Sequence, residues 1–145
     1  MKIWIIMGST SDRDFMAHAE DILKKENVPF ETFIHSAHRE PEKIRDLVSR
    51  AKDEKVMAII AGAGLAAHLP GFVASLTDIP VLGVPLPAST LGGIDSLLSI
   101  VQMPAGVPVA TFGIGKHGAK NAALFASRLY KRITSTSNCI GALVT

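Results

Sequence analysis

The sequence contains little cysteine and little charge. It has a single cysteine, Cys139, among 145 residues, so no disulfide can form within the chain and we expect a reducing, cytoplasmic environment. Lys and Arg number 15 against 13 Asp and Glu, and the basic residues are scattered along predicted helix faces, which excludes a nucleic-acid footprint. The first residues, MKIWIIMGSTSD, lack the long apolar core of a signal peptide.

An uninterrupted membrane-spanning run is also missing. The longest apolar stretch, residues 56–76, contains His68, Pro70 and three glycines, so we predict a buried strand, a loop and a helix start there rather than a membrane span. The chain is nevertheless 48% hydrophobic and only 19% charged, with a mean hydropathy of +0.30. For a domain of this size, this composition predicts that part of the surface meets other subunits.

Apolar runs alternate with amphipathic stretches and predict five β/α units. The runs are KIWIIM, PFETFI, VMAIIA, PVLGV and VPVATFGI. Helix patterns follow over about 12–26, 41–52, from about 66, over IDSLLSIVQ and over about 119–133. Continuous apolar strands are typical of a parallel sheet covered on both faces. With right-handed crossovers, we predict a single α/β domain over residues 1–145, a three-layer αβα sandwich, whose Ser/Thr-rich end after Ile133 is frayed.

The predicted topology locates a ligand site. For a five-stranded parallel sheet we expect the strand order 2-1-3-4-5, in which the loops after strands one and three diverge at the switch point and the loop after strand two lies beside them. These loops read GSTSD, HSAHRE and AGAGLAAHLPG. They hold most of the unusual chemistry in the chain, so we predict that they form one crevice.

The first two loops carry groups suited to an anion and to proton transfer. Ser9, Ser11 and Asp12 lie between a buried strand and a helix, where free backbone amides attract phosphate; an ordinary helix cap is the alternative. In the second loop, His38 precedes Arg39 just before a helix. An imidazole exchanges protons near neutral pH and a guanidinium binds phosphate with two donors, although surface pairs of this kind are common.

The third loop is rich in glycine. Gly62, Gly64 and Gly71 surround His68, so the backbone can approach a ligand closely, and the histidine either assists the chemistry or holds the loop. This segment and FGIGKHG both match dinucleotide-binding glycine patterns, but neither is followed by a strand that ends in an acidic residue. The sequence shows no metal-ligand spacing and no GxSxG, so we predict neither a metal site nor a serine nucleophile.

The loop motifs resemble a known family. MGSTSD, SAHREP, AGAGLAAHLPG, GVPL and GIDSLLSIVQMPAGVPVATFGIG, in this order over about residues 3–126, resemble the N5-carboxyaminoimidazole ribonucleotide mutase family. The resemblance implies a flavodoxin-like fold and a cytoplasmic homo-octamer. It implies an isomerase of de novo purine (IMP) biosynthesis that converts N5-carboxyaminoimidazole ribonucleotide to 4-carboxy-5-aminoimidazole ribonucleotide.

The same resemblance implies roles for individual residues. His38 would be the general acid/base and His68 its support, while Ser9, Ser11 and Arg39 would bind the substrate phosphate. Asp12 would bind the ribose hydroxyls, and the pocket would be lined by Ala61, Gly62, Ala63 and Leu69. No cofactor is implied, because the enamine-like aminoimidazole is itself the nucleophile that captures the released CO₂.

Two alternatives stay open. A sister class with the same fold carboxylates aminoimidazole ribonucleotide with free CO₂ and lacks the AAHLPG form of the third loop, which this sequence has. A non-catalytic nucleotide-binding module of flavodoxin type is the other alternative. The role of His117, which lies just before the last predicted helix, is undecided.

Overall fold

A computed structural model describes the backbone of residues 1–141 and the side chains of residues 1–135. The described residues form one parallel sheet with helices on both faces. Its strands are β1 Lys2–Met7, β2 Phe30–Ile34, β3 Val56–Gly64, β4 Val81–Leu86 and β5 Ala110–Thr111. A short 3₁₀ turn, Thr10–Asp12, precedes the first of the helices, which are α1 Arg13–Lys25, α2 Pro41–Ser49, α3 Leu69–Ala74, α4 Ile94–Val101 and α5 Lys116–Gly141.

The strand order is β2-β1-β3-β4-β5 and every neighbouring pair is parallel, which confirms the predicted topology. Side chains of β1 alternate between two cores. Ile3 and Ile5 pack in the core formed with α1 and α5, whereas Trp4 and Ile6 pack in the core formed with α2 and α3. The three-layer αβα sandwich therefore follows from burial of both faces of the sheet.

Three predicted elements are shorter than their patterns. Helix α2 was predicted over 41–52 but ends at Ser49, because the amides of Arg50 and Ala51 donate to carbonyls only three residues back. The third helix was predicted from about residue 66 but begins at Leu69. Leu65 turns the chain with a positive φ of 56°. Pro70 then occupies the first turn of the helix, where a missing backbone amide costs nothing. The fifth strand was predicted over 107–114 but pairs only at Ala110–Thr111. Pro108 lacks the amide that a longer ladder needs.

The last helix is longer than predicted. The prediction that the chain frays after Ile133 was wrong for residues 134–141, which continue the helix, and residues 142–145 lie outside the described part of the chain. Helix α5 begins at Lys116 and continues to Gly141. Its Ser and Thr side chains stay compatible with the helix because their hydroxyls donate to carbonyls one turn back, as from Thr134 to Tyr130 at 2.9 Å. No helix in the described part of the chain is both long enough and apolar enough to cross a membrane.

Two glycines of β3 set how closely its neighbours approach the site. A Cβ on Gly62 would lie 2.3 Å from the Met16 sulfur, and one on Gly64 would lie 2.4 Å from the Ala88 Cβ. Such contacts are far inside van der Waals distance. The first glycine therefore lets α1 pack directly on β3, and the second brings the loop after β4 against the carboxyl end of β3.

Candidate active site

The loops after β1, β2 and β3 meet in one crevice at the carboxyl end of the sheet, as predicted from the topology. The crevice has a volume of about 460 Å³. Most of the predicted site residues are in its wall. The lining residues are Gly8, Ser9, Ser11, Asp12, Ser36, Ala37, His38, Arg39, Ala63, Gly64, Leu65, Ala66, His68, Leu69 and Ala88.

The first loop gathers hydroxyl groups at the start of the 3₁₀ turn. Ser9 is the N-cap, and its Oγ accepts the Ser11 backbone N–H at 3.3 Å. The Ser11 hydroxyl donates to the same Oγ at 3.0 Å. Because the turn continues directly into α1, the positive end of the helix dipole lies at this loop. This loop has the donors that an anionic group requires.

Asp12 closes the first loop and is buried. Burial raises the pKa of its carboxyl above the ordinary value, because a charged carboxylate loses its hydration there; hydrogen bonds from the backbone of Ser9 and Gly8 oppose that shift. A buried carboxylate beside the serine hydroxyls of this loop is suited to accept hydrogen bonds from a polyhydroxyl ligand.

The raised pKa of Asp12 predicts a stability cost at neutral pH. The folded protein binds this proton more tightly than the unfolded chain, so ionisation above the folded pKa opposes folding, and the cost disappears below about pH 4, where both states are protonated. We expect Asp12→Asn to raise the melting temperature at pH 7, because asparagine is neutral at every pH and carries no cost of ionisation in the buried position.

Thermal unfolding monitored by circular dichroism between pH 4 and pH 7 checks this expectation. The difference between Asp12→Asn and the unmodified protein should shrink as the pH falls. Asp14→Asn is the matched control, because Asp14 is an exposed carboxylate in the first turn of the same helix. A melting temperature of Asp12→Asn equal to that of the unmodified protein at pH 7 would contradict the expected cost, and a lower one would show that this carboxylate stabilises the fold.

The second loop presents His38 and Arg39 on a tight turn. The Ser36 Oγ accepts the Arg39 backbone N–H at 3.3 Å, and the Ser36 carbonyl accepts the Glu40 N–H at 2.8 Å. These bonds fix the backbone while leaving both side chains exposed at the crevice. The guanidinium is therefore available to a ligand rather than to the core.

The third loop brings His68 to the same place. Beyond the end of β3, Leu65 adopts a left-handed backbone conformation, and the His68 N–H donates to the Ala66 carbonyl at 2.8 Å. His68 is then the N-cap residue of α3. This turn places the His68 imidazole beyond the carboxyl end of the sheet, next to the second loop.

The two histidines contact each other directly. His38 Nε2 and His68 Nδ1 are 2.8 Å apart, and the rings meet edge to face with centroids 4.9 Å apart and an angle of 75° between their planes. One nitrogen must donate and the other accept, so a single proton is shared between the rings. Nδ1 of His38 and Nε2 of His68 are the nitrogens left for a ligand.

Two predicted lining residues are not at the crevice surface. Ala61 is completely buried in the core beneath α2 and α3. Gly62 is buried as well, and the space where its side chain would be is occupied by Met16. Both lie within β3 rather than in the loop that follows it, so they support the crevice from behind, whereas Ala63 and Leu69 line it.

The crevice also contains residues to which the sequence assigned no role. Leu65 and Ala66 lie past the end of β3 within the third loop, and Ala88 follows β4. The available signal was positional, because every residue just beyond a carboxyl strand end is a candidate in this topology. His117 is exposed in the first turn of α5 and is not among the crevice residues.

A larger cavity lies at the opposite end of the sheet. It has a volume of about 800 Å³ and is lined at the start of β4 and around Phe125. Its charged groups, Lys52 and Asp78, already pair with each other at 2.9 Å. The smaller crevice, with its histidine pair and hydroxyl groups, is therefore the better candidate for chemistry. Within the described residues, no three His, Cys, Asp or Glu side chains are grouped to hold a metal ion.

The fold and the crevice define a class: a doubly wound, flavodoxin-like α/β protein with proton-transfer and anion-binding groups at its switch point. Comparison with known families gives the particular one. The family model described as AIR carboxylase matches residues 2–138, and the chain belongs to this family.

The sequence of this chain aligns with those of its relatives over most of their length. The N5-carboxyaminoimidazole ribonucleotide mutase of Bacillus subtilis (strain 168) is 55% identical over 127 residues, which are 88% of this chain and 78% of the relative. The protein of the same name from Saccharolobus solfataricus is 56% identical over 128 residues, 88% of this chain and 80% of the relative. The crystal structure of Treponema denticola PurE superposes with a TM-score of 0.80 at 25% identity, covering 97% of this chain and 93% of that one.

Proposed function

We propose that this chain is an isomerase that converts N5-carboxyaminoimidazole ribonucleotide to 4-carboxy-5-aminoimidazole ribonucleotide in de novo purine biosynthesis. Relatives that are more than half identical carry the mutase name. The observation on which the proposal depends most is the hydrogen-bonded pair of His38 and His68 in a crevice that also contains anion donors. The pair can move a proton, and the donors can hold a phosphorylated substrate.

Substrate binding is assigned to the first two loops. We propose that Ser9, Ser11 and Arg39 bind the 5′-phosphate, because two hydroxyls, the start of a helix and an exposed guanidinium line the same crevice. Asp12 lies next to these donors and accepts hydrogen bonds from the ribose hydroxyls. This arrangement leaves the aminoimidazole ring to extend towards the histidine pair.

The reaction moves one carboxylate and one proton. The N5–carboxylate bond breaks to give CO₂ and aminoimidazole ribonucleotide, with N5 taking up a proton. Ring carbon C4 is nucleophilic because the freed amino nitrogen N5 donates electrons through C5, as in an enamine, and C4 then attacks CO₂. The C4 hydrogen leaves as a proton and aromaticity returns. Since one proton is delivered to N5 and one is removed from C4, a single group that does both ends in its starting state.

We assign that proton transfer to His38 and the supporting role to His68. The 2.8 Å contact occupies Nε2 of the first ring, which orients Nδ1 for the substrate and allows the second ring to share the charge that forms on protonation. Removing the second ring would leave His38 without a partner that fixes its tautomer.

Retention of CO₂ is assigned to the apolar part of the crevice. Ala63 and Leu69 line it, and Ala61 and Gly62 fill the strand behind them. Few polar groups there compete for a small, uncharged intermediate, so CO₂ can stay next to C4 until it is attacked. For the whole protein we propose a cytoplasmic homo-octamer that needs no cofactor.

A test of the proposed activity uses purified protein and two sets of substrates. We expect N5-carboxyaminoimidazole ribonucleotide to be converted to the C4-carboxylated product in buffer freed of bicarbonate. Product formed only from aminoimidazole ribonucleotide plus bicarbonate would instead indicate the CO₂-dependent carboxylase. Absence of both reactions in protein that binds the ribonucleotide would indicate a non-catalytic nucleotide-binding module.

A further inference from the structure

The second loop, which carries His38 and Arg39, makes few apolar contacts that could fix its position. It connects the end of β2 to Pro41, the first residue of α2. Ala37 is partly buried against the core beneath α2 and α3, but both functional side chains are exposed. A short exposed segment of this kind samples several conformations unless polar contacts hold it. The placement of both functional groups therefore depends on the polar contacts of the loop.

Glu40 ends this loop, and its carboxylate does not serve the helix that follows. It is the N-cap residue of α2, where a shorter polar side chain usually accepts a helix amide, yet among the described residues its side chain caps no amide. Its Oε1 instead accepts a hydrogen bond from Lys43 Nζ at 2.6 Å. Its Oε2 lies 3.7 Å from Nδ1 of His35. The carboxylate therefore spans the loop, from the residue that follows β2 to the first turn of α2.

The backbone of the loop closes at the same two ends. The Glu40 N–H donates to the Ser36 carbonyl at 2.8 Å. A hydrogen bond from Lys43 holds the pKa of the Glu40 carboxyl below its ordinary value although desolvation opposes it, and the Ser36 backbone and His35 add to the lowering. The carboxylate is therefore ionised at neutral pH and can hold all three groups.

His35 shows why a charged group is suited to this position. Its Nδ1 is buried and has no hydrogen-bond partner within the described chain. A buried polar atom without a partner is costly, and a nearby opposite charge reduces that cost. The Glu40 carboxylate lies next to this atom and favours the tautomer that carries its proton on Nδ1.

We propose that Glu40 is a positioning residue of the site, and that its carboxylate holds the second loop where His38 meets His68 and Arg39 meets the substrate phosphate. Glu40 is not among the crevice residues of the described chain, so it acts through these side chains rather than on the substrate. The inference rests on the proposed function for the identity of the ligand, but it depends on no step of the reaction.

The first test separates KM from kcat. Glu40→Ala should raise the KM for N5-carboxyaminoimidazole ribonucleotide about tenfold and change kcat by less than about twofold, because only molecules with an ordered loop bind and bound substrate keeps it ordered. Glu40→Gln should keep nearly the unmodified KM, since its amide oxygen still accepts from Lys43. Glu42→Ala is the matched control. Glu42 is an exposed carboxylate in the first turn of the same helix that pairs with Arg45, and its loss should leave KM unchanged.

A double-mutant cycle tests whether Glu40 acts through Arg39. In an Arg39→Ala background, Glu40→Ala should weaken calorimetric binding of the product by less than about twofold, because the group that it positions is gone. A merely structural role would give the same loss in both backgrounds. Equal losses, or a Glu40→Gln variant as weak as Glu40→Ala, would overturn the proposal.

Hydrogen exchange followed by mass spectrometry tests the same idea without any substrate. In ligand-free Glu40→Ala, the peptide that contains residues 35–40 should exchange roughly tenfold faster than in the unmodified protein. The melting temperature should stay nearly the same, because Glu40 belongs to neither described core. Unchanged exchange would overturn the proposal whatever the activity. Faster exchange in a protein that does not bind the ribonucleotide would support the role in the loop and contradict only the proposed function.

Discussion

Replacing His38 with Asn should lower turnover by roughly a hundredfold or more, while the fold and the binding of the ribonucleotide persist. After the carboxylate has moved, C4 carries both a hydrogen and the new substituent, and the product forms only when a base removes that hydrogen. Asparagine keeps part of the shape and hydrogen bonding of imidazole but cannot carry the proton. Since the side chain is exposed and outside both cores, its loss should leave the free energy of unfolding nearly unchanged.

Steady-state kinetics and calorimetric binding of the product measure the two effects separately. His117→Asn is the control, because His117 is an exposed histidine that does not line the crevice, and its turnover should equal that of the unmodified protein. If folded His38→Asn turned over at nearly the unmodified rate, the acid/base role would have to be reassigned, and His68 would be the next residue to replace.

Replacing Arg39 with Ala should weaken binding of the ribonucleotide by about ten- to a hundredfold, which is the loss of one or two charge-assisted hydrogen bonds. The guanidinium is exposed beside Ser9 and Ser11 in the crevice, so it offers two donors to phosphate. The affinity of Arg39→Lys should lie between those of the unmodified protein and Arg39→Ala, because lysine keeps the charge but loses the bidentate geometry.

Calorimetric titration with the product, together with thermal unfolding, checks this expectation. Arg45→Ala is the matched control. Arg45 is an exposed arginine of α2 that contacts the Phe72 ring rather than the crevice, so its replacement should leave binding unchanged. Unchanged affinity in Arg39→Ala, combined with a sharp fall in melting temperature, would assign Arg39 to a structural ion pair.

The order of elements and the topology of the sheet could be predicted from the sequence, because continuous apolar strands and amphipathic helices leave strong periodic signals. The ends of elements could not. The fifth strand is limited by the backbone amide that Pro108 lacks, and α3 is shortened by the turn at Leu65. The last helix passes Ile133 although Ser and Thr are weak helix formers, and the hydroxyls of Thr134 and Ser135 donate to carbonyls within it.

For the site, the sequence predicted which loops meet but not how their side chains contact one another. The pairing of His38 with His68 depends on the turn that Leu65 and Ala66 make, and no spacing in the sequence encodes that distance. The family resemblance implied that Ala61 and Gly62 line the pocket. Burial in β3 and the contact with Met16 place them behind it.

The most direct test of the proposed reaction follows the carboxylate itself. N5-carboxyaminoimidazole ribonucleotide labelled with carbon-13 in its carboxylate would be incubated with the protein in unlabelled bicarbonate, and carbon NMR and mass spectrometry would locate the label. We expect the label in the C4 carboxylate of the product, because the released CO₂ is captured before it leaves the crevice. Product without the label would contradict the mutase assignment, since its carboxylate would then have come from solution.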